Sequence, residues 1–215
     1  MVKIGFLKKL SKRNILILLV VLVLVAFAVF LFLNRKVDDV EVFNPEIVVT
    51  HSVEKPSEIE PEDFDVPADI PKRITLKNLR NSGYMQMVGI DQNDDIAVPS
   101  NVLMAGWYVN SVRPGDIGLS IVTGHRDGVM KKGIFRYLGD SRVGHIVEVE
   151  YGDGSIRSFE VVDIYEVTIE DAFDLLYEKR DDIERQLNLI TCGGTYNRSR
   201  ETYDNRIIVV TRGIN

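Results

Sequence analysis

Apolar and polar residues alternate with a period of two along much of the chain after residue 70. In residues 147–151, three apolar side chains alternate with two glutamates, which is the pattern of a strand with one buried face. Turn residues at Asn81–Gly83 and Gly152–Ser155 separate such segments, and the second turn predicts a hairpin. By the same criteria, further strands are predicted at Arg73–Leu79, Met85–Ile90, Val102–Val109, Ile117–Thr123, Ile156–Val167, Leu187–Cys192 and Arg206–Thr211.

Helical periodicity is confined to a short part of this region. Between Glu170 and Glu178, the apolar residues Ala172, Leu175 and Leu176 recur at i, i+3 and i+4. A second short helix is predicted over residues 181–186. Many short strands with one or two short helices indicate a mostly-β fold, either a barrel or a sandwich.

The first 33 residues have a different pattern. Residues 15–33 contain no charge, and these 19 residues are just long enough, at about 1.5 Å each, to cross a bilayer core of about 30 Å. Five basic residues precede this segment and two follow it, so the positive-inside bias predicts that residues 1–14 form a cytoplasmic basic tail. We therefore expect an uncleaved transmembrane signal-anchor, with the rest of the chain outside the cell.

A cleaved signal peptide is the alternative interpretation of this segment. Ala26-Phe27-Ala28 has the small-x-small form of a cleavage site. Cleavage there would leave residues 29–33 as an apolar N-terminus, whereas such sites normally lie beyond the apolar region.

Residues 34–70 are strongly acidic. They contain eleven Asp or Glu against three Lys or Arg, together with four of the chain's seven prolines. This composition predicts an extended, largely disordered linker that holds a domain away from the membrane. An acidic segment that covers an active site is the alternative. His51 lies in this segment and has no predicted role.

Residues 71–215 are numerous enough to form one domain with its own core. They contain 21 acidic and 18 basic residues, so the surface is nearly neutral and no basic stripe indicates nucleic acid. Because the acidic residues are scattered, without a cluster of ligand spacing, neither a metal nor another cofactor is predicted.

Cys192 is the only cysteine in the chain. A single thiol cannot form an internal disulfide, which leaves a buried small side chain, a surface thiol or a nucleophile. His125 follows an apolar strand in a glycine-flanked loop, and Arg206 opens the last predicted strand. A thiol nucleophile, an imidazole that moves the proton and a guanidinium that binds the oxyanion are sufficient for acyl transfer.

These residues and their order resemble the sortases, a family of membrane-anchored cysteine transpeptidases. The order His, Cys, Arg and the N-terminal signal-anchor both agree with that family. The motifs that support the resemblance are Gly124-His125, Ile134–Leu138, Leu189–Cys192 and Arg206 before Ile207–Val210. Those similar to class F sortases in particular are Ala105–Tyr108, Arg113–Gly115 and Cys192–Gly194.

The resemblance implies an eight-stranded sortase-type β-barrel over residues 71–215, in which Cys192 and His125 face one another near Arg206. It also implies a substrate protein with a C-terminal sorting signal of the Leu-Pro-x-Thr-Gly type. Cys192 would attack the Thr carbonyl and hold the protein as a thioacyl enzyme, which an amine of a peptidoglycan precursor or a pilin lysine resolves. Water is the slower acceptor and would make the protein an endopeptidase.

Two assignments at this site have alternatives. Arg206 occupies the usual position before the closing strand, and Arg200 is the alternative, with Arg198 behind it. Asp127 could orient His125, as carboxylates often do, although a loop aspartate two residues away is more often solvent-facing.

With ordinary pKa values, only on the order of 1% of molecules carry thiolate and imidazolium together near neutral pH.

Other functions fit the sequence less well. An L,D-transpeptidase would have a Ser-His-Gly-Cys signature, which the chain lacks, and papain-like proteases place Cys before His. A non-catalytic membrane-tethered β-domain would leave the His125 and Arg206 positions unexplained. We expect His145 to be a surface residue and Trp107 to lie in the core or in a groove wall.

Overall fold

The alternating segments pair into one closed barrel of eight strands. The structure is a computed structural model, and it describes residues 22, 56–63, 65–92 and 94–214. The strands are β1 (Pro71–Leu76), β2 (Asn81–Val88), β3 (Ala105–Tyr108), β4 (Gly118–Gly124), β5 (Ile146–Tyr151), β6 (Ile156–Thr168), β7 (Arg185–Asn197) and β8 (Thr202–Gly213). One helix, α1 (Ile169–Tyr177), and two 3-10 turns (Lys77–Leu79 and Leu138–Asp140) complete the regular structure of the described residues. The predicted mostly-β, eight-stranded barrel is thereby confirmed.

The strands follow the order β1-β2-β3-β4-β7-β8-β6-β5, and β5 pairs with β1 to close the barrel. Among the pairings between these eight strands, β2 with β3 and β4 with β7 are parallel, and the others are antiparallel. The parallel pair β4–β7 matters for the site, because its register places the end of β4 beside the interior of β7.

Two local predictions are confirmed. β5 and β6 form the predicted hairpin, with Val147 opposite Phe159. The predicted helix is α1, and it begins after Thr168, whose hydroxyl oxygen accepts a hydrogen bond from the Asp171 N–H at 3.3 Å. This cap satisfies one of the N–H groups that a helix start leaves without a partner.

The second helix, predicted over residues 181–186, is wrong. Residues 181–184 form a turn and irregular backbone, and β7 begins at Arg185. Gln186 pairs with β4 on one side and with β8 on the other. A helical pattern over six residues cannot outweigh backbone pairing on both sides, because that pairing satisfies the N–H and C=O groups of the segment.

The turn predicted at Asn81–Gly83 is also wrong, because these residues begin β2. The chain turns before them, through Lys77–Leu79 and Arg80, whose φ of 50° is left-handed. Gly83 instead allows close packing, since a Cβ at this position would lie 2.5 Å from the Leu103 carbonyl oxygen.

Apolar side chains form one cluster inside the barrel and a second outside it. Val122 and Leu189 belong to the interior cluster. Trp107 belongs to it as well, and its indole N–H donates to the Val112 carbonyl at 3.1 Å. The outer cluster lies between the sheet and α1, and it contains Tyr108, Ile121, Ala172, Leu176, Ile183, Ile208 and Val210. Successive residues of β4 and β7 therefore alternate between the two clusters.

Residues 56–63 and 65–70 lie against the barrel, although the sequence predicted an extended linker through residue 70. The Ser57 N–H donates to the Ser100 carbonyl at 2.7 Å, and the Gly152 N–H donates to the Ile70 carbonyl at 3.0 Å. The difference arises because an acidic composition indicates a solvated segment but does not reveal which barrel groups bind its carboxylates and backbone.

The predicted cytoplasmic tail, residues 1–14, and the predicted signal-anchor, residues 15–33, lie outside the described residues apart from Leu22. Within the ranges that the structure describes, no helix is both long enough and apolar enough to span a membrane.

Candidate active site

The end of β4 and the neighbouring part of β7 bring the candidate histidine and the candidate nucleophile side by side. β4 and β7 are parallel and in register up to Thr123. The Thr191 hydroxyl donates to the Gly124 carbonyl at 2.7 Å, which extends this alignment by one residue. The next residues along the two chains, His125 and Cys192, therefore lie level with each other on neighbouring chains.

Arg206 lies on the other side of Cys192. The two residues pair directly across the antiparallel strands β7 and β8, so their side chains project from the same face of strands about 4.8 Å apart. The Arg206 guanidinium is fixed by Nη1, which donates to the carbonyls of Tyr203 at 3.1 Å and Asn205 at 2.9 Å. The Cys192 thiol on β7 therefore lies between His125, which follows β4, and Arg206 on β8.

The Cys192 side chain points out of the barrel. Leu189 and Thr191 are buried, and Leu189 belongs to the interior cluster, whereas Ile190 packs against the outer cluster. Because side chains alternate along a strand, Cys192 shares the outer face with Ile190. The half-buried thiol is therefore beside the outer cluster, on a face that a substrate can approach.

The hydrogen bond made by His125 identifies the nitrogen that exchanges the proton. Its Nε2 lies 2.8 Å from the Pro99 carbonyl oxygen. A carbonyl only accepts, so Nε2 carries a hydrogen in both charge states of the ring. Nδ1 is therefore the nitrogen that can take up and release a proton.

The surroundings shift the pKa values of both reactive groups. Burial raises the pKa of the Cys192 thiol, the guanidinium groups of Arg206 and Arg126 oppose this shift, and Asp127 adds to it. Burial lowers the pKa of His125, against the effect of its hydrogen bond to Pro99. Both shifts favour the neutral thiol and the neutral imidazole. The fraction of molecules that carry thiolate and imidazolium together at rest is therefore below the roughly 1% expected from ordinary pKa values.

The alternative arginines lie away from the thiol. Arg198 and Arg200 are exposed in the turn between β7 and β8, beyond the pair formed by Asn197 and Thr202. Arg206 is level with Cys192 on the neighbouring strand, so its position fits an oxyanion donor better than that of either alternative.

Asp127 binds partners other than His125. Its two carboxylate oxygens accept hydrogen bonds from Arg136 Nη1 at 2.8 and 2.6 Å, and one also accepts from the Tyr203 hydroxyl at 2.7 Å. The carboxylate therefore connects the chain after β4 to the start of β8. Tyr203 is far from Asp127 in the sequence, and Arg136 has no recognisable spacing from it, so this network could not be predicted from the sequence.

Arg126 is the functional candidate that the sequence analysis missed. Its Nη1 donates to the Gly194 carbonyl at 3.1 Å, and its guanidinium carbon lies 4.8 Å from the centre of the Tyr203 ring. Its Nε is buried, 3.8 Å from Asp127 Oδ2, and has no hydrogen-bond partner among the described residues. The only signal in the sequence is that Arg126 follows His125 directly, and a loop arginine in that position is usually solvated.

The remaining candidates lie outside this site. Trp107 lies in the barrel core, which was one of its two expected positions, and not in a groove wall. His145 precedes β5, where its Nδ1 accepts from the Arg142 N–H at 3.2 Å. His51 lies outside the described residues. In the part of the chain that the structure describes, no three or more His, Cys, Asp or Glu side chains are grouped to hold a metal ion.

A family model described as "Sortase domain" matches residues 82–213. No curated protein sequence matches the chain.

Among solved structures, the barrel is similar to a lid mutant of sortase A from Corynebacterium diphtheriae, with a TM-score of 0.53 and 19% identity over 67% of this chain and 70% of that one. It is also similar to sortase C-1 from Actinomyces oris, with a TM-score of 0.50 and 21% identity over 68% and 76% of the two chains. A lid mutant of Streptococcus agalactiae sortase C1 has a TM-score of 0.51 and 17% identity over 70% and 72%. At these identities the structural likeness shows the fold alone. The family model, however, spans more than half of the sequence, and the chain therefore belongs to the sortase family.

Proposed function

We propose that this sortase is a membrane-anchored cysteine transpeptidase that cleaves a C-terminal sorting signal of the Leu-Pro-x-Thr-Gly type between Thr and Gly. The observation that supports this proposal most directly is the position of Cys192. It pairs with Arg206 on one side and lies level with His125 on the other. Nucleophile, proton carrier and oxyanion donor therefore meet on one face of the barrel.

Acylation uses each of these groups. Cys192 first gives its thiol proton to Nδ1 of His125, and the resulting thiolate attacks the Thr carbonyl carbon. Arg206 donates hydrogen bonds to the oxygen that becomes negative. The C–N bond to Gly then breaks, and imidazolium His125 gives its Nδ1 proton to the departing amine. The products are a thioester on Cys192, a free peptide that begins with Gly, and a neutral imidazole.

Deacylation follows the same chemical steps in reverse order. An incoming amine attacks the thioester carbon, neutral His125 accepts its proton, and the Cys192 thiolate leaves and recovers a proton. The proposed acceptors are an amine of a peptidoglycan precursor or a pilin lysine. Water as the acceptor would make the enzyme a sorting-signal endopeptidase, which is the alternative outcome of the same thioester.

The location of the enzyme is part of the proposal. Residues 15–33 supply the membrane anchor, residues 1–14 remain in the cytoplasm, and the catalytic barrel lies outside the cell. The motifs Ala105–Tyr108 and Cys192–Gly194 support assignment to class F.

The test is product analysis with the full chain in detergent micelles. A Leu-Pro-x-Thr-Gly peptide is incubated with and without a glycine- or lysine-containing acceptor peptide, and the products are identified by mass spectrometry. We expect cleavage between Thr and Gly and a new amide bond when the acceptor is present. Cleavage without the new amide would support the endopeptidase. Absence of any cleavage across a broad panel of sorting peptides would favour a non-catalytic scaffold and refute the enzyme.

A further inference from the structure

Three consecutive backbone N–H groups bind the carboxylate of Glu58, which lies in the segment predicted as a linker. Val129 and Lys131 donate to its two oxygens at 2.5 and 2.7 Å, and Met130 donates at 2.9 and 3.1 Å. Burial acts to raise the pKa of Glu58, but hydrogen bonds from Met130, Val129 and Lys131 outweigh it and lower the pKa. The carboxylate is therefore ionised at neutral pH and held as an anion in a concavity of N–H groups.

These N–H groups form the tip of a hairpin that begins directly after His125. The Gly133 N–H donates to the Arg126 carbonyl at 2.9 Å, and the residues between them pair as a short antiparallel hairpin. We call residues 126–133 the His125 hairpin. Binding of its tip by Glu58 restricts the chain that leaves the histidine.

The first arm of the His125 hairpin carries side chains of the active site. Arg126 donates to the Gly194 carbonyl at 3.1 Å, and its charge opposes the rise in the pKa of Cys192. Asp127 binds Tyr203 at 2.7 Å. The position of the hairpin therefore sets how close the Arg126 guanidinium lies to the thiol.

The residues around Glu58 also contact the chain on the other side of His125. Residues 56–60, here called the strap, pair with the chain beside Pro99: the Ser57 N–H donates to the Ser100 carbonyl at 2.7 Å, and the Val102 N–H donates to the Ser57 carbonyl at 2.9 Å. The Pro99 carbonyl is the partner of the His125 ring. The strap thus contacts both chain segments that hold the histidine.

The hairpin tip accommodates the carboxylate because residue 128 has no side chain. A Cβ at Gly128 would lie 2.7 Å from Glu58 Oε1, which is closer than such contacts occur. A substitution here would move the carboxylate away without altering Glu58 itself. Gly128 therefore offers a second, independent way to disturb the same contact.

We propose that Glu58 is a positioning residue for the transpeptidation reaction: by binding the tip of the His125 hairpin, it fixes Arg126 and His125 relative to Cys192. This proposal rests on the proposed function only in naming transpeptidation as the reaction that Glu58 affects. The contact itself, and its effect on the thiol, can be measured without a sorting substrate.

The test compares Glu58→Gln and Gly128→Ala with the wild-type full chain in detergent micelles. Glu60→Gln is the matched control, because Glu60 lies in the same strap, is exposed, and contacts the hairpin only through the Lys131 side chain at 2.9 Å. Three quantities are measured: hydrogen exchange of the amides of residues 129–131, the pH dependence of alkylation of Cys192 by iodoacetamide, and kcat and KM with a sorting peptide.

Both test variants should exchange these amides at least about tenfold faster, because charge-assisted hydrogen bonds are lost. Their Cys192 alkylation profile should move to higher pH as Arg126 withdraws, and kcat should fall about tenfold with little change in KM. Glu60→Gln should match the wild type in all three measurements.

Unchanged amide exchange in Glu58→Gln would overturn the proposal, because the contact would then not exist in solution. Faster exchange with an unchanged alkylation profile and an unchanged kcat would also overturn it, because Glu58 would then stabilise only the loop. If the wild type processes no peptide, the proposed function fails, while exchange and alkylation still decide whether Glu58 positions Arg126 against the thiol.

Discussion

Replacing Thr191 by valine tests the alignment of β7 with the end of β4, which forms the site. The Thr191 hydroxyl, 3% exposed, donates to the buried Gly124 carbonyl at 2.7 Å. Valine keeps the shape of the side chain and removes the donor. Loss of the partner of a buried carbonyl lowers the free energy of unfolding by about 1–3 kcal/mol, which corresponds to a fall in Tm of about 2–12 °C for a domain of this size.

Thr211→Val is the matched control. The Thr211 hydroxyl is fully buried and donates to the Leu187 carbonyl at 2.8 Å, so the same chemical group is removed from the same sheet. This bond lies five residues along β7 from Cys192, or about 17 Å. Both variants should lose similar stability, but the site geometry depends only on Thr191.

The assay combines thermal unfolding with steady-state kinetics, at a temperature at which both variants are folded. Thr191→Val should lower kcat/KM at least about tenfold, because small misplacements of reacting groups have large effects on rate. Thr211→Val should stay within about twofold of the wild type. If Thr191→Val loses stability as expected but keeps wild-type kcat/KM, the argument that this bond aligns His125 with Cys192 is refuted.

Four further predictions concern the reacting groups and Arg126. Cys192→Ala should keep the fold by circular dichroism and abolish turnover, and residual turnover would show that another residue is the nucleophile. Arg206→Ala should lower kcat/KM by about 10²–10³, as loss of an oxyanion donor does, while Arg200→Ala should be near wild type; the reverse result would make Arg200 the oxyanion donor. The pH profile of kcat/KM should be bell-shaped, with its acid limb below the ordinary pKa of histidine and its alkaline limb above that of cysteine, because burial lowers the pKa of His125 and raises that of Cys192. Arg126→Gln should move the alkaline limb to still higher pH, since the guanidinium favours the thiolate; a limb that stays in place or moves down would show that Arg126 does not act on the thiol.

The sequence was sufficient to predict the features that depend on local pattern. Strict alternation in residues 147–151 marked one arm of a hairpin, and the i, i+3, i+4 spacing marked α1. The order of His125, Cys192 and Arg206 pointed to their chemistry, although only His125 lies next to a strand end. β7 and β8 extend beyond the predicted strands and contain Cys192 and Arg206 in their interiors.

The sequence was not sufficient where a residue's role depends on contacts across the fold. Gly83 is a residue type common in turns, yet it lies in β2, where it pairs with Ile74 and where the Leu103 carbonyl leaves no room for a side chain. Glu58 has the composition of a solvated linker, yet three N–H groups more than 70 residues away bind it. Asp127 is near His125 in the sequence, but its carboxylate binds Arg136 and Tyr203 instead of the His125 ring. The deciding partners leave no periodicity in the sequence, and except for Arg136, which is nine residues from Asp127, they lie far along the chain.

The most direct test of the account is the intact mass of the full chain after brief exposure to a Leu-Pro-x-Thr-Gly peptide without an added amine. We expect a mass increase equal to the peptide segment that ends in Thr. Fragmentation should locate it at Cys192, and it should be absent from Cys192→Ala and released when an amine is added. Efficient cleavage between Thr and Gly with no adduct at Cys192, or with cleavage retained in Cys192→Ala, would contradict the account.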